Sequence, residues 1–263
     1  MTTAPVLVTG GTGTLGRLVV ARLRDAGRDV RVLSRRQHEP ADGIEFVTGD
    51  LGTGEGIASA VDGAPTIVHC AGSARGDDHK ARNLVRAASQ AGATHLLYIS
   101  VVGADRIPMI SRVDRAMFGY YGFKLAAERI VANSGVPFTT LRATQFHDLI
   151  LMVARQVAKL PVMPAPAGFR FQPIDTAEVA ARLAELTVGQ PAGLVPDMGG
   201  PRVYSISDLL RAYLEATHRR RPIVSIPLPG PAARAVRAGA NLTPEHAVGR
   251  RTWEDFLAER VGT

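Results

Sequence analysis

The stretch Thr9-Gly10-Gly11-Thr12-Gly13-Thr14-Leu15-Gly16-Arg17 constrains this chain more than any other. Val6-Leu7-Val8 precedes it, a short apolar run of the kind that forms a buried parallel strand. Leu15, Leu18, Val19 and Leu23 follow at the spacing of an amphipathic helix, and Gly27 closes it. Strand, glycine turn and helix together make the context that a phosphate-cradling loop needs. Glycines let the backbone turn tightly and approach a pyrophosphate, while free N–H groups and the dipole at the helix start face its charge. Two patterns overlap here, Gly10-x-x-Gly13-x-x-Gly16 and Gly11-x-Gly13-x-x-Gly16. The turn predicts a dinucleotide site contacted by Gly10, Thr12, Gly13, Thr14, Leu15 and Gly16.

The rest of the first half repeats that rhythm. Strands are expected at Val6–Val8, Val30–Leu33, Ile44–Val47, Thr66–His69, Leu96–Ser100 and Phe138–Leu141. Helices are expected at Leu15–Ala26, Gly54–Val61, Asp78–Ala91 and Asp114–Ser134. Such alternation predicts an α/β fold, a Rossmann doubly wound parallel sheet covered on both faces. Past Arg142 the pattern becomes mixed. A helix around Leu149–Leu160 leads to a proline-rich loop at Pro161–Pro166 and a short strand at Phe169–Gln172. Helices at Thr176–Thr187 and Ser207–Thr217, the latter capped by Ser207, precede a strand at Ile223–Ile226 and a closing helix at Trp253–Val261. The expected division is residues 1–145 as the nucleotide domain and 146–263 as a small mixed lobe over the carboxyl edge of the sheet, parts of which return to that sheet.

Composition limits the partners. The net charge is +7, yet the 31 basic residues are scattered, with Arg219-Arg220-Arg221 the only dense run. Aromatics make up 5% and none interleaves with that run, so no nucleic-acid platform is expected. No apolar run approaches the roughly 18 residues of a membrane span. The start, Met1-Thr2-Thr3-Ala4-Pro5, carries no secretory pattern, and the single cysteine, Cys70, fits a reducing compartment. A cytoplasmic protein with a small-molecule substrate is the expectation. The seven histidines form no cluster at metal spacing, so no metal is expected.

Chemistry is expected at five further places. Ser34, Arg35 and Arg36 close the second strand, about 20 residues past the glycines, where an NAD-selecting site keeps an acid. A hydroxyl and two guanidinium groups suit a 2′-phosphate instead, which favours NADP(H). Asp50-Leu51 follows the third strand and either lines the adenine pocket or, for Asp50, makes a turn. Ala71 and Gly72 follow the fourth strand, small enough for the cofactor to lie close. Tyr120 and Lys124 stand four apart on a helix, hence on one face, where a cation favours the phenolate of a proton-passing tyrosine. Ser100, ending the fifth strand, offers a hydroxyl to the same substrate oxygen.

With these residues in place, the chain resembles an atypical short-chain dehydrogenase/reductase of the NmrA-like, NAD(P)H-binding group. The matching segments are T-G-G-T-G-T-L-G at 9–16, Y-I-S-V-V-G at 98–103, Y-Y-x-x-K at 120–124 and L-R-A-T-Q-F at 141–146. The resemblance implies an NADP-binding Rossmann domain, a small carboxyl-terminal substrate lobe and a catalytic set of Ser100, Tyr120 and Lys124. It also implies that Lys124 touches the nicotinamide ribose. The family's fourth catalytic position, usually Asn, falls on Asp77, with Asp78 one residue away. Ala143 stands where related sequences often carry Pro. The expected activity is NADPH-dependent oxidoreduction of a carbonyl, alcohol or quinone. An NADP(H) sensor without turnover, or an epimerase or dehydratase, is the alternative. The expected substrate wall comprises Thr144, Gln145, Phe146, His147 and Phe171, suited to an uncharged or aromatic molecule.

Overall fold

The computed structural model describes residues 4–39, 43–73 and 75–261. In chain order the elements are β1 (Val6–Thr9), α1 (Thr14–Asp25), β2 (Val30–Ser34), β3 (Ile44–Thr48), α2 (Ile57–Val61), β4 (Thr66–His69), α3 (Asp77–Gln90), β5 (His95–Val101), α4 (Arg112–Ala132) and β6 (Phe138–Ala143). There follow α5 (His147–Val157), β7 (Met163–Pro166), β8 (Arg170–Phe171), α6 (Thr176–Val188), β9 (Gly193–Leu194), β10 (Tyr204–Ser205) and α7 (Ile206–Ala216). The chain ends with β11 (Ile223–Ile226), α8 (Pro231–Arg237), a 3₁₀ turn at Pro244–His246 and α9 (Trp253–Val261).

Seven strands form one sheet in the order β3-β2-β1-β4-β5-β6-β9, and the pairs β3–β2, β2–β1, β1–β4, β4–β5 and β6–β9 are parallel. This is the expected doubly wound α/β sheet. β1 and β5 are buried along their whole length, which is why each reads as a mainly apolar run. The chain lays β2 and β3 on one side of β1, then returns to lay β4 on the other. The strand order therefore reverses between β1 and β4, the crevice where doubly wound sheets bind ligands.

Packing divides the chain into two compact units, and they do not follow one cut in the sequence. The first comprises residues up to Ser100, Phe123–Leu141 and Ala177–Val195; the second comprises Val101–Gly122, Arg142–Thr176 and the residues from Pro196 on. The core of the first packs Leu7, Leu33, Ile67, Leu84, Leu96 and Tyr98. That of the second packs Ile150, Met163, Phe169, Leu209, Trp253 and Phe256.

Several expected boundaries shift for local reasons. The second helix starts at Ile57 instead of Gly54, because Gly54 and Gly56 take φ of +89° and +71°, outside the helical region. α7 is capped by Ser205, whose hydroxyl accepts from Asp208 N at 3.1 Å; Ser207 lies inside the helix. The proline-rich segment is partly strand. Met163–Pro166 pairs in parallel with Ile223–Ile226, since prolines tolerate a strand position that needs no donor. β9, β10 and α8 have no counterpart among the sequence expectations. Two of them are two-residue strands, too short for any periodicity to register.

Candidate functional site

A cavity of about 330 Å³ opens at the carboxyl ends of the first four strands. Gly10, Thr12 and Gly13 line it after β1, Leu33, Ser34 and Arg35 at the end of β2, and Gly49, Asp50 and Leu51 after β3. Cys70, Ala71, Gly72 and Ser73 follow β4, and Lys80 reaches in from α3. Its floor is backbone held close. Gly10 takes φ of +71°, and a Cβ there would stand 2.7 Å from Ala71 N. A Cβ on Gly16 would collide with Gly10 O, so the turn can pass over α1 only with glycine at that point. Above Gly13 the space is open, since an added Cβ would meet only Gly10 O, at 3.2 Å. Gly13 is also the N-cap of α1, with no side chain capping the helix and no acid in its first turn. Free amides beneath open space are the right receptor for an anion.

The wall at β2 is cationic. Arg35 and Arg36 are exposed, and only Arg35 lines the cavity. Ser34 Oγ sits 2.9 Å from His38 Nε2 and accepts from Arg36 N at 3.2 Å. His38 in turn stacks on Phe46 at 4.7 Å. Asp50 lines the cavity, and its Oδ1 accepts from Gly52 N at 2.7 Å, which makes it a turn residue, the alternative expectation.

Next to Gly72 lies a buried ion pair. Lys124 Nζ is 3.1 Å from Asp77 Oδ2 and donates to Ile99 O at 3.1 Å. A Cβ on Gly72 would stand 3.3 Å from that Nζ. Burial alone would lower the Lys124 pKa, but Tyr98 and Asp77 beside it favour the ammonium and carry the value upward. The Tyr98 ring centroid is 5.0 Å from Nζ. Asp77 Oδ1 accepts from Ser73 N at 2.8 Å and from Ser73 Oγ at 3.1 Å. Ser100 is buried, and its Oγ has no hydrogen-bond partner among the described residues. His69 keeps a 2.7 Å bond to Thr9 Oγ1, and burial with Lys124 nearby pushes its pKa down to about 3, so the ring is neutral. Burial pushes the Cys70 thiol up to about 12, which makes it a poor nucleophile. No cluster of metal-ligating side chains occurs among the described residues.

Tyr120 and Lys124 both lie on α4, one turn apart. Tyr120 is 36% exposed, and its ring meets that of Tyr121 edge-on at 5.8 Å. Burial raises the Tyr121 pKa, Tyr120 raises it further, and a hydrogen bond with Gln145 opposes both. Among the residues expected to face substrate, Thr144 donates to Gln172 O at 2.5 Å and Gln145 Nε2 to Asn241 O at 3.3 Å. His147 is fully buried between Trp253 and Phe256, with ring centroids 5.9 and 5.0 Å away. Phe146 and Phe171 are half-buried.

The family model described as NAD(P)H-binding matches residues 10–187. The chain belongs to the NAD(P)H-binding family. A (4-alkanoyl-5-oxo-2,5-dihydrofuran-3-yl)methyl phosphate reductase from Streptomyces griseus is 31% identical over 206 residues, 74% of this chain and 68% of that one. The chloroplastic protein high chlorophyll fluorescence phenotype 244 of Arabidopsis thaliana is 27% identical across 78% of this chain, and the match spans about half, 53%, of that longer protein. An NADPH-dependent quinone oxidoreductase from Escherichia coli, crystallised with NADPH, shares the fold at a TM-score of 0.78 and 20% identity, over 97% of this chain and 99% of that one. The expected family, fold class and nicotinamide cofactor all stand.

The residues around this cavity fit a dinucleotide: open space above Gly13, small residues after β4 and a cationic rim at Arg35. Thr14, Leu15, Gly16 and Arg36 belong to the same two segments without lining the cavity, and Lys124 sits behind Gly72. Sequence reasoning missed Leu33, Gly49, Ser73 and Lys80 in the wall, and His38 behind Ser34. Lys80 follows Asp77 by three residues, but nothing in its own surroundings distinguishes it from a surface lysine. Among the described residues no helix is long and apolar enough to cross a membrane.

Proposed function

We propose that this protein is an NADPH-dependent oxidoreductase, transferring hydride to or from a small carbonyl/alcohol pair or a quinone, with Tyr120 as acid and base. The observation that carries the reading is the strand-end cavity, with Ser34 and Arg35 in the wall where an NAD site would hold an acid. The activities named for the Streptomyces reductase and the Escherichia coli quinone oxidoreductase support the reaction class. When bound, the reduced nicotinamide supplies the hydride. The chain's own residues do the rest. Amides of the Gly10–Gly16 turn hold the pyrophosphate, Ser34, Arg35 and Arg36 the 2′-phosphate, and Asp50, Leu51 and Ala71 the adenosine. As hydride reaches the carbonyl carbon, its oxygen gains charge. Tyr120 gives that oxygen a proton, and the unspent hydroxyl of Ser100 donates a hydrogen bond to it. Lys124 binds the nicotinamide ribose, and Asp77 positions Lys124 through their 3.1 Å pair. Thr144, Gln145, Phe146 and His147 shape the substrate side. A cytoplasmic location and a small uncharged or aromatic substrate complete the reading.

One observation favours a second reading, an NADP(H) sensor without turnover. The Lys124 ammonium is already engaged by Asp77, Ile99 and Tyr98, so it must exchange a partner to bind ribose. Consumption of NADPH over a panel of ketones, aldehydes and quinones separates the two. With a substrate found, Tyr120→Phe should keep nucleotide affinity and lose about 10²–10⁴-fold in turnover. Tyr121→Phe, about 100° round the helix, is the control. Wild-type turnover by Tyr120→Phe sinks the acid/base role. Tight binding without consumption across the panel favours the sensor.

A further inference from the structure

Two lysines flank the carboxylate of Asp77, and they differ in what they have left to give. Lys124 is buried and engaged on its three sides, whereas Lys80 lines the cavity and its side chain keeps 24% exposure. Lys80 Nζ donates to Ser73 Oγ at 2.6 Å and stands 3.8 Å from Asp77 Oδ1. Ser73 is itself pinned: its N–H donates to Asp77 Oδ1 at 2.8 Å, and its hydroxyl lies 2.5 Å from Arg75 O and 3.1 Å from Asp77 Oδ1. The ammonium is thus anchored at one point beside the cavity, and among the described residues Ser73 Oγ is its one hydrogen-bond acceptor, which leaves N–H donors for a ligand. Arg35 is the other cation in that wall, and the sheet order keeps the two apart. Arg35 follows β2 on one side of β1, while Ser73 follows β4 on the other, with the glycine turn at the end of β1 between them.

We infer that Lys80 is a nucleotide-binding residue that contacts the pyrophosphate over the Gly10–Gly13 turn, leaving the 2′-phosphate to Arg35. The inference rests on the nucleotide reading of the cavity. The two negative charges of the pyrophosphate then meet the amides at the start of α1 from below and an ammonium from the β4 side. Asp77 gains a second duty, holding Ser73 as the anchor of Lys80 while it pairs with Lys124.

Titration calorimetry with NADPH, NADH and adenosine 2′-monophosphate tests this, using Lys80→Met to keep the aliphatic stem and remove the charge. Losing one charge-assisted contact should weaken NADPH and NADH alike, by about tenfold, and leave the monophosphate unchanged because it has no pyrophosphate. Arg35→Ala should do the converse, weakening NADPH and the monophosphate far more than NADH. Lys80→Arg should recover most of the affinity. Unchanged NADH affinity in Lys80→Met overturns the assignment, as does a loss confined to NADPH and the monophosphate. Wild-type protein that takes up neither dinucleotide would overturn the cavity reading itself, a result distinguishable from either.

Discussion

The two units solve opposite problems with their polar groups. In the first, the floor of the cavity is built from backbone: strand ends and a glycine turn leave amides and space, and Asp50, Asp77 and Asn83 brace the loops beside it. In the second, buried side chains are spent on backbone. Gln172 donates to Gly200 O at 2.8 Å and Thr243 O at 3.3 Å, and its Oε1 accepts from Thr243 N at 2.9 Å. Gln145, Thr144 and Asn241 serve the same segments. Regular α/β repeats satisfy their own peptide groups in ladders, so side chains stay available for a ligand. Short strands and turns cannot, and each buried peptide group left unpaired would cost about 1–3 kcal/mol. A polar residue in the first unit therefore deserves a functional reading sooner than one in the second.

The sharpest way to break that contrast is Gly13→Val. The added Cβ would stand 3.2 Å from Gly10 O, so that carbonyl must give by a few tenths of an ångström, and the branch beyond it would take up space above the turn. Nucleotide binding should fall below detection in calorimetry, with the far-ultraviolet circular dichroism unchanged. Retained binding would mean that the turn cradles nothing, and the backbone-built site would be a misreading.

A smaller effect is expected from Trp253→Phe in the second unit. The indole is fully buried, stacks on Phe256 at 5.7 Å and donates to Leu209 O at 3.1 Å. Phenylalanine keeps part of the packing but leaves a void and an unpaired carbonyl, a loss of about 1–3 kcal/mol. Denaturant titration should register it, while nucleotide affinity measured under native conditions stays near wild type. A parallel loss of affinity would show that the two units do not divide their labour as described.

This difference also explains what could be read from the sequence. β1 to β6 and their helices announce themselves through apolar runs and helical spacing, and the glycine turn, Ser34, Arg35, Asp50 and Ala71 fall where those elements end. Periodicity has no purchase on β9 or β10, each two residues long. Pro161–Pro166 reads as a loop because proline suggests one, yet the register with β11 is set by a segment about 60 residues away. Thr144, Gln145 and His147 illustrate the harder limit. Their chemistry suits a ligand, but their neighbours Gln172, Asn241 and Trp253 come from distant positions that no local pattern reveals. Lys80 is the converse case, an ordinary lysine until the fold sets it beside Ser73.

The smallest effect is expected at Asp114, where the second unit spends a carboxylate as it elsewhere spends amides. Asp114 Oδ2 accepts from Ser111 N at 2.9 Å and Ser111 Oγ at 2.8 Å, and its Oδ1 accepts from Ala232 N at 3.2 Å, tying the start of α4 to the start of α8. The Ser111 N–H, opposed by burial and joined by the Ser111 hydroxyl and Ala232 N–H, holds the carboxyl below its usual value of 3.8. A pKa depressed by folding means that the unfolded chain binds the proton more tightly. The contribution to stability is therefore complete above that ordinary value and is lost as pH falls through the lower folded one. Asp114→Asn keeps one acceptor and removes the charge, so its destabilisation at neutral pH should be slighter than that of Trp253→Phe. The gap in melting temperature between wild type and Asp114→Asn should narrow as the buffer is taken from neutral pH to below pH 3.8. A gap that stays constant over that range would show that the carboxylate's charge adds nothing to the tie, and that the shape of the side chain alone holds the two helix starts.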